Sequence, residues 1–459
     1  MSDPAPARGR WWVLLAIGAG TFMAALDGSV VNTTLPVIRA AFAADVARIE
    51  WVVTVYLLVL SSLLLSFGRL GDLHGHRRVY LSGFALFIAG SALCGLAPGV
   101  EALIAFRALQ ALGAAMLSSN SPAILTKSFP SAERGRALGL QATMTYLGLT
   151  AGPSLGGWLA QHVGWRMIFY INLPVGLAAL ALSARFVPRD RPAGRAPPFD
   201  LPGSAAFIVS LVALLLALNQ GHAWGWTSPA VLGLLAAASL ALAGFVALER
   251  RAPHPMLDLN LFRNPLFSGA TASAVFNYIC IFSVLFLMPF YLIQGRGLNA
   301  AQAGLLLTAQ PLVMAAVAPL SGALSDRIGT RAPAGLGMAT LAAGLLLLSR
   351  LGPQAPHSQI ILALAVAGLG TGAFISPNNS ALMGAAPRAR QGIAAGVLAT
   401  ARNVGMVLGV GLAGAIFTTV LARGAPGDPV ALFDGVQAAF RFAAGCAALG
   451  CALAFARGG

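Results

Sequence analysis

The sequence predicts an all-α polytopic membrane protein, and three observations carry that prediction. The 459 residues are 58% hydrophobic and only 9% charged, with a mean hydropathy of +0.79. A soluble chain carries about 25% charged residues, so no ordinary water-facing surface can be built from this composition. Apolar stretches long enough to cross a hydrocarbon core, about 20 residues each, recur fourteen times. The short connectors between them repeat one loop motif in the two halves of the chain. The same figures exclude a large soluble domain, a disordered chain and a nucleic-acid-binding fold. The net charge of +15, which would otherwise suggest a polyanionic partner, reads first as topology.

The spans are expected at 12–36, 50–69, 79–97, 102–126, 136–160, 167–187, 200–219, 229–249, 267–293, 301–325, 333–350, 359–383, 390–421 and 437–457. Arg8 and Arg10 precede the first span, which runs past the length of a signal peptide without a cleavage site, so it is expected to be retained. Cations gather on the inner side of lipid-spanning proteins. With the N-terminus inside, Arg69, Arg77, Arg78, Lys127, Arg134, Arg136, Arg250, Arg251, Arg327, Arg331 and Arg388 all face inward, while far fewer cations, among them Arg39, Arg166 and Arg350, face outward. A miscounted span would invert every later loop, so an even number with both termini cytoplasmic is expected. Cys94, Cys280, Cys446 and Cys451 all fall in apolar stretches and read as buried thiols.

The duplicated loop joins spans two and three as GRLGDLHGHRR (68–78) and spans ten and eleven as GALSDRIGTRA (322–332). Both copies read G-x-L-x-D-x-x-G, and they occupy equivalent places in two six-helix sets. Parallel six-helix halves are a transporter architecture. The expected organisation is a bundle at 1–187, a Pro- and Arg-rich linker with two extra helices at 188–266, and a second bundle at 267–459.

Ionisable residues inside a membrane span are expensive and are functional candidates by default. Asp27 is the acid set deep in a span, in LDGSVVNTTLP (26–36), and shares a helical face with Val31 and Thr34. An isolated carboxylate in a low-dielectric setting favours its neutral form, so such a group can take up a proton on one side and release it on the other. Arg107, in LIAFRALQALGAA, is its natural partner, with Gln110 one turn on. Arg402, beside Asn403 in TARNVGMVLG, is a weaker candidate of the same kind, with packing as the competing role.

In GLTAGPSLGG, Gly148, Gly152 and Gly156 stand four apart beside Pro153 and Gly157. Small residues at that spacing let a neighbouring backbone approach closely, and proline bends a helix, as a seam sliding between two bundles requires. In the loop at 68–78, Asp72 sits between Gly68 and Gly75, with Arg77 and Arg78 following; Asp326 and Arg327 recur in the second copy. Such a cluster can latch helix ends by charge pairing and by contact with helix dipoles. His74 and His76 have no acid or thiol partner beyond Asp72, so no metal site is expected. Asn32, Thr34, Tyr56, Gln110, Tyr146, Phe276, Tyr278, Gln310, Asn378, Asn379 and Arg402 are candidates for lining a cavity that suits lipophilic ligands.

Taken together these motifs resemble the major facilitator superfamily, and more narrowly its fourteen-helix drug:H⁺ antiporter branch. GRLGDLHGHRR is similar to the superfamily loop signature, RALQALG to the fourth-helix motif with its essential arginine, and GLTAGPSLGG to the antiporter motif. LDGSVVNTTLP, WRMIFYINLPVG (165–176) and PMLDLNLFRNPLF (255–267) look like hallmarks of the fourteen-helix branch, so the resemblance spans the whole chain. It implies alternating access with Asp27 as proton-coupling acid, Arg107 as its arginine and Asp72 as latch. Ala111 stands where relatives carry glycine, and Leu73 and His76 where they carry basic residues. The expected function is proton-coupled export of small amphipathic compounds from a bacterial cytoplasm across the inner membrane, without cofactor or enzymatic chemistry. The expected partners are protons, a small-molecule substrate and the bilayer, with no nucleic acid; a periplasmic adaptor is a further candidate. A dedicated exporter of one lipid, siderophore or self-made antibiotic, or a non-transporting sensor on the same scaffold, stays open as an alternative.

Overall fold

The computed structural model describes residues 7–44, 46–189, 198–225, 227–253, 255–298, 300–421 and 429–456. Among them, thirteen helical stretches are long and apolar enough to cross a membrane. The remaining expected span, the fifth at 136–160, falls in Arg134–His162, which has the length at 29 residues. Gly, Thr and Gln dilute its hydrophobicity because it packs on a neighbour instead of facing lipid along its length.

The chain forms two compact units, residues 1–261 with 386–400 and residues 262–385 with 401–459. In the first unit the helices are α1 (Ala7–Phe42), α2 (Val46–His74), α3 (His76–Leu96), α4 (Val100–Ser128), α5 (Arg134–His162), a short α6 (Met167–Tyr170), α7 (Asn172–Phe186), α8 (Leu201–Trp224) and α9 (Pro229–Arg251). The sixth expected span is thus broken at Ile171. In this unit α1 packs on α5 and α7, α4 on α2 and α3, and α8 on both α9 and α2. The second unit holds α10 (Pro265–Pro289), α11 (Ala300–Leu307), α12 (Ala309–Ile328), α13 (Arg331–Leu348), α14 (His357–Ala385), residues 401–421 of α15 (Gln391–Leu421), and α16 (Pro429–Ala456). There α14 packs on α12, α13 and α10, and α16 on α13 and α10. The tenth expected span is divided at Thr308. Of the Pro- and Arg-rich linker, residues 190–197 lie outside the described residues.

Local sequence explains where the middle helices begin. Asp200, Ser228 and Asn264 each accept a hydrogen bond from a backbone N–H of the first turn, at Gly203, Val231 and Leu266, and each is followed by proline at the start of the helix. A polar cap and a proline whose missing N–H would have been unsatisfied anyway make a strong start signal. The outer face of α9 shows Leu232, Leu240, Leu242 and Leu248, all exposed, as a helix covered by lipid tails would.

The duplication seen in one loop extends to the packing inside each unit. On α3 and α4, Gly83 and Gly113 face one another: a Cβ on Gly113 would lie 2.6 Å from the Gly83 oxygen, and one on Gly90 would lie 2.7 Å from Gln110 Cα. On α13 and α14, a Cβ on Gly370 would lie 2.7 Å from the Gly337 oxygen, and one on Gly344 would lie 2.7 Å from Ala367 Cα. The two seams interlock through the same pattern of missing side chains. Among their differences, Gln110 occupies the place in the first seam that Ala367 occupies in the second. Overpacking a tight core costs about 1–3 kcal/mol. Gly370→Val is therefore expected to lower the melting temperature of the purified protein, read by size-exclusion after heating, whereas Gly411→Val, with nothing within 4 Å of its Cβ position, should leave it unchanged.

Candidate functional site

The site is built where α1, α2, α3, α4 and the start of α7 meet inside the first unit. Asp27 stands on α1, 1% exposed, and Arg107 and Gln110 stand one turn apart on the same face of α4, at 1% and 0%. Arg107 Nη1 donates to Asp27 Oδ2 at 2.8 Å and to Gln110 Oε1 at 2.6 Å, while its Nε donates to the Val52 carbonyl of α2 at 3.2 Å. The other carboxylate oxygen, Asp27 Oδ1, accepts from Gln110 Nε2 at 2.9 Å and from Asn172 Nδ2 at 2.7 Å. Ser91 of α3 lies behind them and accepts from Gln110 at 2.7 Å and from Asn172 at 3.4 Å. The Tyr56 ring closes the floor, with the Arg107 guanidinium 4.0 Å from its centroid.

Asp27 is held by three donors, one of them the counter-charge Arg107, and such a set of partners is what a buried ion pair needs to be tolerated. The guanidinium does not depend on the acid alone, because Gln110 Oε1, the Val52 carbonyl and the Tyr56 face each hold it separately. A proton arriving on Asp27 would leave a cation that is still hydrogen-bonded and stacked. Asn172 Oδ1 is buried with no hydrogen-bond partner, so its amide offers an acceptor as well as a donor beside the carboxyl group.

Asn172 and Ser91 were not legible as site residues. Asn172 had one weak signal, its place in WRMIFYINLPVG ahead of Pro174. The helix break at Ile171 makes it the first residue of α7 and turns its side chain into the site. Ser91 had none: it enters because Gly90 lets the Gln110 backbone come against α3.

The remaining candidates disperse. Thr34 is buried and donates back to the carbonyls of Val30 and Val31, Asn32 is exposed, and Tyr146 is buried on α5. In the second unit Tyr278 lies within electrostatic range of Arg402, Phe276 packs beside Gly450 of α16, and Asn379 is half-buried. Asn378 is fully buried and donates to the Ala270 carbonyl at 3.0 Å. Gln310 Nε2, Thr371 Oγ1, Asn277 Oδ1 and Asn378 Oδ1 are buried there with no hydrogen-bond partner.

The charged residues of the loop cluster meet different partners, beginning with Asp72. It caps the N-terminus of α15, accepting from Gly392 N–H at 2.9 Å and Ile393 N–H at 3.0 Å, where the helix dipole favours an anion. His76 Nε2 is 3.3 Å from Asp72 Oδ1, and its Nδ1 is 2.7 Å from Asn120 Oδ1. Arg77 instead donates to the Ala184 carbonyl of α7, and Arg78 is exposed. Gly68 lies against the Gly392 carbonyl with no room for a side chain, and Gly75 starts α3 at a φ of 97°, open chiefly to glycine. Asp326 is half-buried and Arg327 exposed at the end of α12. Among the described residues no group of three His, Cys, Asp or Glu side chains could hold a metal ion.

The antiporter-like segment packs closely on α1. Gly148 and Gly152 press on α1 within the first unit: a Cβ on Gly148 would lie 2.6 Å from the Phe22 carbonyl, and one on Gly152 would collide with Ser29 Oγ. Within the first unit these glycines make a seam between α5 and α1 that meets α1 on either side of Asp27. Gly156 is buried and Gly157 faces open space; the Pro153 side chain lies outside the described residues.

Comparison with known proteins places this geometry in a family. The model of the Major Facilitator Superfamily matches residues 17–270 and 270–457. The riboflavin transporter RibZ of Clostridioides difficile is 36% identical over 413 residues, 90% of this chain and 89% of its own length. The multidrug resistance protein Stp of Mycobacterium tuberculosis is 37% identical over 410 residues, 89% of this chain and 76% of its own length. The crystal structure of the human organic anion transporter MFSD10 superposes with a TM-score of 0.71 at 17% identity, covering 98% of this chain and 100% of that one. Two matched halves, a membrane-spanning helical fold and relatives aligned across nearly the whole length leave one conclusion: the chain is a multi-pass membrane transporter of the major facilitator superfamily.

Proposed function

We propose that this transporter is a proton-coupled antiporter that exports small amphipathic compounds across a bacterial inner membrane by alternating access, with both termini cytoplasmic. The observation that carries the reading is the buried constellation of Asp27, Arg107, Gln110 and Asn172. It offers a carboxylate that can be protonated, a cation with substitute partners, and an amide able to accept as well as donate. Protonation of Asp27 cancels its charge and releases Arg107 to Gln110, Val52 and Tyr56; loss of the proton restores the pair. A site with two stable hydrogen-bond arrangements is what a carrier needs in order to bias two conformations. The inward bias of cations supports the orientation, and the 148–157 segment resembles the export branch. The unpartnered amides and hydroxyl of the second unit suit a cargo with a few polar groups on an apolar frame.

The similarity to a riboflavin transporter favours a second reading, a carrier dedicated to one heterocyclic cargo. Flux assays in which riboflavin competes with a panel of lipophilic cations separate the two: competition by riboflavin alone supports the dedicated carrier, and competition across the panel supports the broad exporter.

In proteoliposomes with an imposed pH gradient, Asp27→Asn is expected to abolish gradient-driven flux of the lipophilic cation ethidium while leaving insertion and ethidium–ethidium exchange intact. Gradient-driven flux at the wild-type rate would defeat the assignment. Removing one partner of a buried ion pair costs about 3–5 kcal/mol. Arg107→Ala should therefore lower the melting temperature of the purified protein, and adding Asp27→Asn should recover most of that loss without recovering transport. Asn172→Leu, which can neither donate to nor accept from the carboxyl group, should insert normally and transport more slowly than wild type under the same gradient.

A further inference from the structure

A pair of carboxyl groups, Glu249 buried and Asp200 half-buried, lies apart from Asp27, where the two extra helices meet each other and α8 packs on α2. Asp200 caps α8, its Oδ1 accepting from Gly203 N–H at 2.9 Å. Glu249, near the end of α9 and 4% exposed, accepts from Leu257 N–H on Oε2 at 3.1 Å. The other oxygens, Asp200 Oδ2 and Glu249 Oε1, are both buried with no donor to satisfy them. They converge on one spot: a Cβ on Gly203 would collide with Asp200 Oδ2 and lie 2.8 Å from Glu249 Oε1, and the two carboxyl groups are in side-chain contact. Two acceptors facing each other repel unless a proton lies between them, and two carboxylates sharing a buried site do not both ionise readily.

The charged groups around the pair do not remove this need. Arg69 of α2 is half-buried and attracted by Glu249, but it is shared with Asp72 and opposed by Arg390. Arg390 is itself paired with Asp258 of the loop after α9, and Arg250 and Arg251 are exposed. One turn from Asp200, the Ser204 hydroxyl meets the Ser66 hydroxyl of α2 at 2.7 Å, so the position of the α8 start is transmitted to the helix that carries Asp72.

We propose that Asp200 and Glu249 share one proton, making a second protonation site that docks the α8–α9 hairpin on α2 beside the Asp72 cap. With the proton present, the two oxygens are bridged and the hairpin closes over Gly203. Without it, like charges separate the start of α8 from the end of α9, and the Ser66–Ser204 contact loosens. The pair thus gives the inserted helices a role that lipid covering alone does not.

The test is infrared difference spectroscopy of the full-length protein in lipid nanodiscs during a pH titration. The expected result is a protonated-carboxyl band at neutral pH that is lost in Asp200→Asn and in Glu249→Gln and retained in Asp27→Asn. Retention in Asp27→Asn keeps this result separate from the fate of the transport proposal, which the flux assays decide. The exchanged pair, Asp200→Glu with Glu249→Asp, keeps two facing carboxyl groups and is expected to keep the band, giving a readout should a single variant aggregate. Absence of the band in the wild type, its survival in both single variants, its loss from the exchanged pair, or its removal by millimolar magnesium or calcium would overturn the proposal.

Discussion

A carboxylate and a guanidinium taken out of water inside one helical unit are the constraint around which that unit is arranged. Such a pair is tolerated only when the lone pairs and N–H groups facing away from each other are also met. Meeting them draws in a residue from every surrounding helix: Val52 and Tyr56 from α2, Ser91 from α3, Gln110 from α4 and Asn172 from α7. For those side chains to reach, the backbones must approach closely, and Gly90 on α3, against Gln110 of α4, permits it. Small residues and charged residues in this chain are therefore two parts of one solution.

Much of this was legible in the sequence, for reasons of cost. An ion in a membrane span is too expensive to be incidental, so Asp27 and Arg107 could be paired before any coordinates existed. The helices were legible because apolar runs of spanning length have few other fates. The loop motif revealed the duplication because glycines flanking an acid are conspicuous among apolar residues. What could not be read was who else attends the pair. Asn172 depends on a one-residue break at Ile171, and Ser91 depends on which face of α3 meets α4; neither leaves a periodic trace.

The misplacements have physical causes as well. That Asp72 could latch a helix end was legible, but not which end, because the backbone N–H groups of Gly392 and Ile393 that it meets lie 320 and 321 residues away in the sequence. The segment at 148–157 was legible as a close-packing face but not as to its partner, because a glycine stripe shows that something approaches without showing what. Glu249 fell at the end of an expected span, where an acid reads as part of a water-exposed loop; the Leu257 N–H that reaches it left no trace in the sequence.

The reciprocal glycine contacts on α3–α4 and α13–α14 bear on how the molecule can deform. Backbones that touch where no side chain intervenes have no rotamer to exchange, so one helix cannot slip along the other by repacking. Each such couple behaves as a strut, stiff along its length, and pliancy is confined to contacts made by flexible or aromatic side chains. Slow amide exchange concentrated in these four helices would be the signature of that stiffness.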